Sequence, residues 1–184
     1  MAKFFFPTWK GWLLINPMRL LFQNPEPILG RYVLPGMRVL DLGCSMGYFS
    51  LPLARMVGPQ GRVYCLDCDQ KQLDILKSRA NKKGLAGRME IICIAPSGEE
   101  LPFEPGSLDL AVLLQVLHYM DDPKTALAQT YKSMKPGATL LVGEPKSHLS
   151  ETDWKATLDM VAQVGFAIGE VKTMYNMRMA QATR

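Results

Sequence analysis

Apolar residues recur along this chain in two rhythms. From Met37 onward, short apolar runs alternate with longer stretches whose apolar positions return every three or four residues. The runs at 38–42, 61–67, 88–94, 109–115 and 138–143 read as buried strands. The fourth is apolar between its ends, as a central parallel strand is. Residues 46–57, 70–83, 123–134 and 150–164 read as helices, punctuated by Gly58-Pro59, Gly84, Lys135-Pro136-Gly137 and Gly165. Ser150 followed by Asp153 is a variant of the capping box at the start of the last helix. The stretches 168–175 and 177–184 have no helix between them, which predicts an antiparallel pair at one sheet edge. Strand alternating with helix predicts an α/β fold, doubly wound, with right-handed crossovers and helices on both faces of a mostly parallel sheet.

Residues 1–36 have a different texture, rich in aromatics and proline, with helical pieces expected near 8–15, 17–23 and 25–32. They are expected to form an N-terminal helical cap or lid on a domain spanning 37–184. Phe4-Phe5-Phe6 and Trp12-Leu13-Leu14-Ile15 are interrupted by Pro7, Lys10, Pro17 and Arg19, well short of the roughly 20 apolar residues a span needs. No small-residue cleavage site follows them. The expectation is a soluble, cytoplasmic protein without stable membrane insertion. The segment has three readings: a lid, a membrane-surface contact, or packing on the sheet. As a lid, Phe6, Trp9 and Trp12 would favour an apolar or planar ligand.

A length of 184 residues allows one sizeable core. With 48% hydrophobic and 21% charged residues the composition is that of a globular domain. The net charge of +4 is dispersed without a basic run, which argues against a nucleic-acid partner. Four cysteines, Cys44, Cys65, Cys68 and Cys93, lie in or beside expected strands and read as reduced thiols. Cys65 and Cys68 have no second such pair, so no metal is expected.

In open parallel sheets ligands bind beyond the carboxyl ends of the strands. The first such end here is Asp41-Leu42-Gly43-Cys44-Ser45-Met46-Gly47-Tyr48-Phe49. Gly43 and Gly47 let the backbone turn sharply and approach a ligand closely. A plain strand-to-helix turn would also use them. Asp67 ends the second strand about 20 residues beyond Gly47, the spacing at which an acid reaches a ribose. Asp41 argues against a dinucleotide, because a carboxylate before the loop would repel a pyrophosphate. It favours a cationic ligand. Ser45 and Phe49 stand where a dinucleotide fingerprint needs glycines or small residues.

The loop Val39 to Phe49 resembles the first motif of class I S-adenosylmethionine-dependent methyltransferases. Tyr64-Cys65-Leu66-Asp67-Cys68-Asp69 resembles their ribose motif. Glu100-Leu101-Pro102-Phe103, Ser107-Leu108-Asp109-Leu110, the stretch from Leu114 to Pro123, and Met134-Lys135-Pro136-Gly137-Ala138 continue the likeness over roughly 37–184. It is nearest to the small-molecule branch that includes ubiquinone/menaquinone-type and arsenite-type enzymes. The resemblance implies a Rossmann-like seven-stranded sheet of order 3-2-1-4-5-7-6, with strand 7 antiparallel. It also implies S-adenosylmethionine as methyl donor and S-adenosylhomocysteine as product. Gly43 to Gly47, with Cys44 and Ser45 among them, would then contact the methionyl part, and Asp41 and Tyr48 would also bind the cofactor. Asp67 would hold the ribose, Cys68 would pack on adenine, and Gln115 would sit near the methionyl amine. Where many relatives have an adenine-binding Asp, four residues before Leu-Pro-Phe, this chain has Ser97. Either Ser97, Glu99 or a backbone carbonyl substitutes, or adenine is held more loosely. Ser45 replaces a frequent Gly, which is tolerable if its backbone dihedral is ordinary.

Methyl transfer needs alignment and charge management, and a general base only where the acceptor must lose a proton. His118, just past the fourth strand, reads as base or orienting donor, or equally as a surface or capping residue. His148 with Glu144 is a second candidate pair. Cys44 inside the loop reads as a packing residue sooner than a reactive one. The expected function is methyl transfer to a small-molecule acceptor, with a non-catalytic cofactor-binding regulator as the alternative. A nucleic-acid methyltransferase would want an Asn/Asp-Pro-Pro-Tyr type motif where Gln115-Val116-Leu117-His118 stands.

Overall fold

The computed structural model describes residue 18, residues 23–95 and residues 100–184. The expected helical pieces at 8–15 and most of 17–23 lie outside the described residues, as do residues 96–99. In chain order the elements are α1 (Pro25–Leu29), β1 (Arg38–Leu42), α2 (Ser50–Met56), β2 (Arg62–Asp67), α3 (Gln70–Lys82), β3 (Met89–Cys93) and β4 (Leu108–Leu114). Then follow α4 (Pro123–Ser133), β5 (Met134–Pro145), α5 (Glu151–Val164), β6 (Ala167–Met174) and β7 (Met177–Thr183).

The strands form one sheet in the order β3-β2-β1-β4-β5-β7-β6. The first five run parallel, and β7 runs antiparallel to both β5 and β6. Strand order reverses between β1 and β4, which opens a crevice at their carboxyl ends. Side chains alternate across the sheet as the pleat requires. Val39, Val63, Cys65, Leu110 and Val112 join a core with α1, α2 and α3 through Ile28, Leu53, Leu73 and Leu76. Leu40, Leu42, Leu66, Ala111 and Leu113 face the other way, onto Leu127 of α4 and Trp154 and Val161 of α5. Both faces are therefore covered, and the central strand is buried throughout its apolar part.

Most boundaries shift by a residue or so and the helix expected over 25–32 stops at Leu29; the larger shifts have identifiable causes. The helix expected from 46 starts at Ser50, because Gly47 at φ +81° takes a left-handed conformation that an α-helix cannot contain. The strand expected at 138 begins at Met134, which pairs with Leu108 across a register shift. Gly137 donates to the carbonyl of Arg184, so the chain end holds the Lys135-Pro136-Gly137 stretch in the sheet. Tyr175 and Asn176, both at positive φ, make the two-residue turn between β6 and β7, and its primed geometry matches the strand twist. Ser150 and Asp153 do form a full capping box on α5.

Candidate functional site

The carboxyl ends of β1 and β2 bring two acids together. Asp41 is 3% exposed, and its Oδ2 accepts a hydrogen bond of 2.5 Å from the hydroxyl of Ser50, the first residue of α2. Burial pushes its carboxyl up to about 7; the Ser50 hydroxyl opposes the shift and the charge of Asp67 adds to it. The Oδ2 of Asp67 accepts the Ser45 N–H at 2.8 Å, and its Oδ1 accepts the Asp69 N–H at 3.0 Å. Burial raises Asp67 too, against those two donors. Among the described residues no ion pair reaches either acid. Two raised carboxylates side by side form a place that a bound cation would stabilise.

Between them runs the loop. The N–H groups of Gly43 and Cys44 both donate to the Leu66 carbonyl of β2, and Gly47 N–H donates to Cys44. A Cβ on Gly43, at φ +77°, would stand 2.2 Å from a methyl of Val116. Glycine is thus required there on two counts. Ser45 does not have the ordinary dihedral that would make its replacement of glycine harmless: its φ is +49°. The surroundings hold it in place. Its N–H goes to Asp67 and its hydroxyl to Gln72 of α3, which in turn donates to Asp69. The Cys44 thiol points into the core, and burial pushes it well up, so what Cys44 offers the loop is backbone. The Tyr48 hydroxyl donates to the Gln23 carbonyl at 2.6 Å, tying the loop to the chain before α1.

On the β3 side, Cys68 is exposed, with partial desolvation and the Asp67 charge pushing its thiol up to about 11. Beyond β3 opens a groove of about 520 Å³ lined by Ile92, Cys93, Ile94, Ala95, Glu100 and Pro102. Ser97 lies outside the described residues, but chain on either side of it lines this groove. Among the described residues no group of His, Cys, Asp or Glu could hold a metal ion.

On the β4–β5 side, Gln115 takes a left-handed φ of +63°, and its N–H donates to Gly143 at 2.6 Å. Its Nε2 reaches the Met177 sulfur at 3.7 Å. His118 sits in a single 3₁₀ turn, Leu117–Tyr119. Glu144 partners this histidine, not the His148 with which the sequence suggested pairing it. Its carboxylate bonds Nδ1 of His118 and accepts the His118 backbone N–H at 3.3 Å. Glu144 is 1% exposed and the His118 side chain 13%. Nε2 of His118 is buried and has no hydrogen-bond partner among the described residues. The His148 ring stands edge-on at 5.6 Å and the Tyr119 ring lies at 3.9 Å.

Sequence reasoning missed the supporting residues Ser50 and Gln72. It also missed the pairing of Glu144 with His118, although a carboxylate directly after the apolar run 138–143 was a signal.

The family described as "Methyltransferase domain" matches residues 40–142. Over 111 residues the chain is 37% identical to an uncharacterized 37.1 kDa protein in transposon TN4556 of Streptomyces fradiae, covering 60% of this chain and 31% of that one. Over 110 residues it is 33% identical to the ubiquinone/menaquinone biosynthesis C-methyltransferase UbiE of Vibrio campbellii, covering 60% of this chain and 42% of that one. The chain therefore spans less than half the length of either relative. Among solved structures, a SAM dependent methyltransferase from Aquifex aeolicus matches with a TM-score of 0.87 at 24% identity, over 97% of this chain and 98% of that one. The [4+2]-cyclase SpnF matches with a TM-score of 0.74 at 20% identity, over 90% and 81%. At these identities the structural likeness is one of fold.

Proposed function

This chain belongs to the methyltransferase-domain family, and from that membership we propose that it transfers a methyl group from S-adenosylmethionine to a small-molecule acceptor by in-line displacement. The observation that carries the reading is the pair Asp41 and Asp67, the first buried and the second half-buried, both raised and reached by no ion pair among the described residues. A ligand bearing a sulfonium, an ammonium and a ribose satisfies both acids at once. The donor supplies a methyl carbon already activated by the positive sulfur. The chain's own part is to bind, align and manage charge.

In this proposal Gly43, Cys44, Ser45 and Gly47 offer backbone to the methionyl part, with Asp41 behind them and Tyr48 closing the loop. Asp67 accepts from the ribose hydroxyls. Cys68, the groove beyond β3 and Ser97 lie on the adenine side, and Gln115 on the side of the methionyl amine. His118 faces the acceptor. Residues 1–36 act as a cap on the domain 37–184, favouring an apolar or planar acceptor. No described helix is long and apolar enough to cross a membrane, and a cytoplasmic setting accords with the free thiols.

The test is calorimetric titration of S-adenosylmethionine and of NADH into wild type and Asp67→Ala. Tight NADH binding, or donor binding indifferent to the substitution, would sink the proposal. The second reading, a cofactor-binding protein that moves no methyl group, draws on the fold being shared with a [4+2]-cyclase. Donor binding without turnover across a labelled-methyl acceptor screen would favour it.

A further inference from the structure

We propose that Glu144 is a positioning residue that makes Nε2 of His118 a proton acceptor, and that the acceptor is accordingly a weakly acidic hydroxyl compound, a phenol or enol. This deepens the reading above and rests on it. A carboxylate can only accept hydrogen bonds, so Glu144 against Nδ1 of His118 requires the proton of the neutral ring to sit on Nδ1. Nε2 then presents its lone pair. Glu144 is itself held, because its other oxygen accepts the His118 backbone N–H. The pair cannot rotate apart without losing both contacts. Nε2 is buried and lacks a partner in the described structure, an arrangement that costs stability unless another molecule answers it.

The location fits this role. His118 follows β4 by a few residues and Glu144 lies near the end of β5, the neighbouring strand. Val116, two residues before His118, fills the space against Gly43 of the donor loop. The base and the donor loop therefore share one rim of the sheet.

The chemistry narrows the acceptor. Carboxylates and thiolates are already nucleophilic near neutral pH, and a neutral amine can attack first and lose its proton later. A phenol or enol, whose oxygen becomes a strong nucleophile only as its proton leaves, gains most from a positioned base. In the step, the hydroxyl proton moves to Nε2 while an oxygen lone pair forms the bond to the methyl carbon. The methyl–sulfur bond breaks with its pair left on sulfur, giving a neutral thioether. The imidazolium, facing the Glu144 carboxylate, then gives its proton to solvent.

The test uses the full chain with donor bound, and calorimetry first establishes that binding in wild type, Glu144→Gln, Glu144→Asp and His118→Asn. Nitrogen-15 spectra of the histidine ring come next. Wild type should show neutral His118 protonated on Nδ1. Glu144→Gln, whose amide would donate to Nδ1, should move the proton to Nε2. With a labelled methyl donor and 1-naphthol as probe, Glu144→Gln should lower kcat on the order of 100-fold at unchanged KM. Glu144→Asp should recover part of that loss. The rise of kcat with pH should disappear in His118→Asn and persist in His148→Asn. That control is needed because His148, Tyr119 and Glu144 all face the ring, and Arg178 lies across from Glu144 on β7. An Nε2 proton in wild type, no tautomer change in Glu144→Gln, or methylation of 1-naphthylamine in preference to 1-naphthol would overturn the proposal. Silence on 1-naphthol with donor bound would overturn the acceptor class. Failure of the donor to bind at all would instead sink the broader methyltransferase reading.

Discussion

The backbone N–H of Ser45 donates to Oδ2 of Asp67 at 2.8 Å, across 22 positions of sequence. The acid at the end of β2 therefore does two things at once. It holds the left-handed turn of the loop after β1, and in the proposed function it accepts from the ribose hydroxyls. Asp67→Ala removes both contributions. Donor affinity should fall by roughly 10- to 150-fold, the equivalent of about 1.5–3 kcal/mol for hydrogen bonds to a charged group. Asp67→Asn keeps an acceptor for Ser45 and should lose less. Equal losses in the two variants, measured by calorimetry, would mean that Asp67 only shapes the loop.

Asp41 gives a pH signature. Its carboxyl sits near 7 in the unliganded protein, and a cationic ligand binds the ionised form. Donor affinity should drop about tenfold from pH 8 to pH 6, with up to one proton released on binding below pH 7. Asp41→Asn should bind weakly and show no such slope. Calorimetry in buffers of different ionisation enthalpy counts the proton directly.

The same group has the opposite sign for stability. The folded protein keeps the Asp41 proton up to about pH 7, whereas the unfolded chain gives it up near its ordinary 3.8. Its contribution is therefore fully present below pH 4 and is lost as pH rises through 7. Asp41→Asn cannot ionise and still accepts from Ser50. At pH 8 the unliganded variant should melt about 5 °C above wild type, on the scale of 1–2 kcal/mol in a domain of this size. A lower melting temperature would contradict the assigned cause.

Gly43 should tolerate no side chain. A methyl group there meets Val116 at 2.2 Å on a backbone at φ +77°. Gly43→Ala should cost about 2–4 kcal/mol by denaturant titration, combining strain and overpacking. Adding Val116→Ala should recover only the steric share, because the dihedral penalty stays. Full recovery would show that the left-handed turn is not a constraint.

Gln115 is another strained position, at φ +63°. Gln115→Gly relieves about 1 kcal/mol of backbone strain, whereas Gln115→Ala keeps it. The glycine variant should be more stable than the alanine variant, and both should bind the donor more weakly than wild type. Thermal melts and titrations of the pair separate the two effects. Equal melting temperatures would count against strain at this site.

Much of the fold was legible because burial on both faces of a parallel sheet leaves near-continuous apolar runs, as in 109–115. The acids were legible as polar breaks in such runs, Asp67 closing β2 and Asp41 standing one residue before the end of β1. Boundaries were less so. Lys135-Pro136-Gly137 looks like a break, and contacts distant in sequence, the Met134–Leu108 pairing and the Arg184 carbonyl among them, keep it in the sheet.

By itself the sequence determined the strand and helix order, the loop at Asp41–Gly47 and the placement of charge at two strand ends, all of which follow from local periodicity. Tertiary structure decided what those charges face. Ser50 meets Asp41, Ser45 meets Asp67 and Glu144 meets His118, not His148. Each pairing depends on strand register and on which side chain reaches across a buried gap. Hydrogen bonds of that kind act over a few ångströms in space and leave no period in the chain.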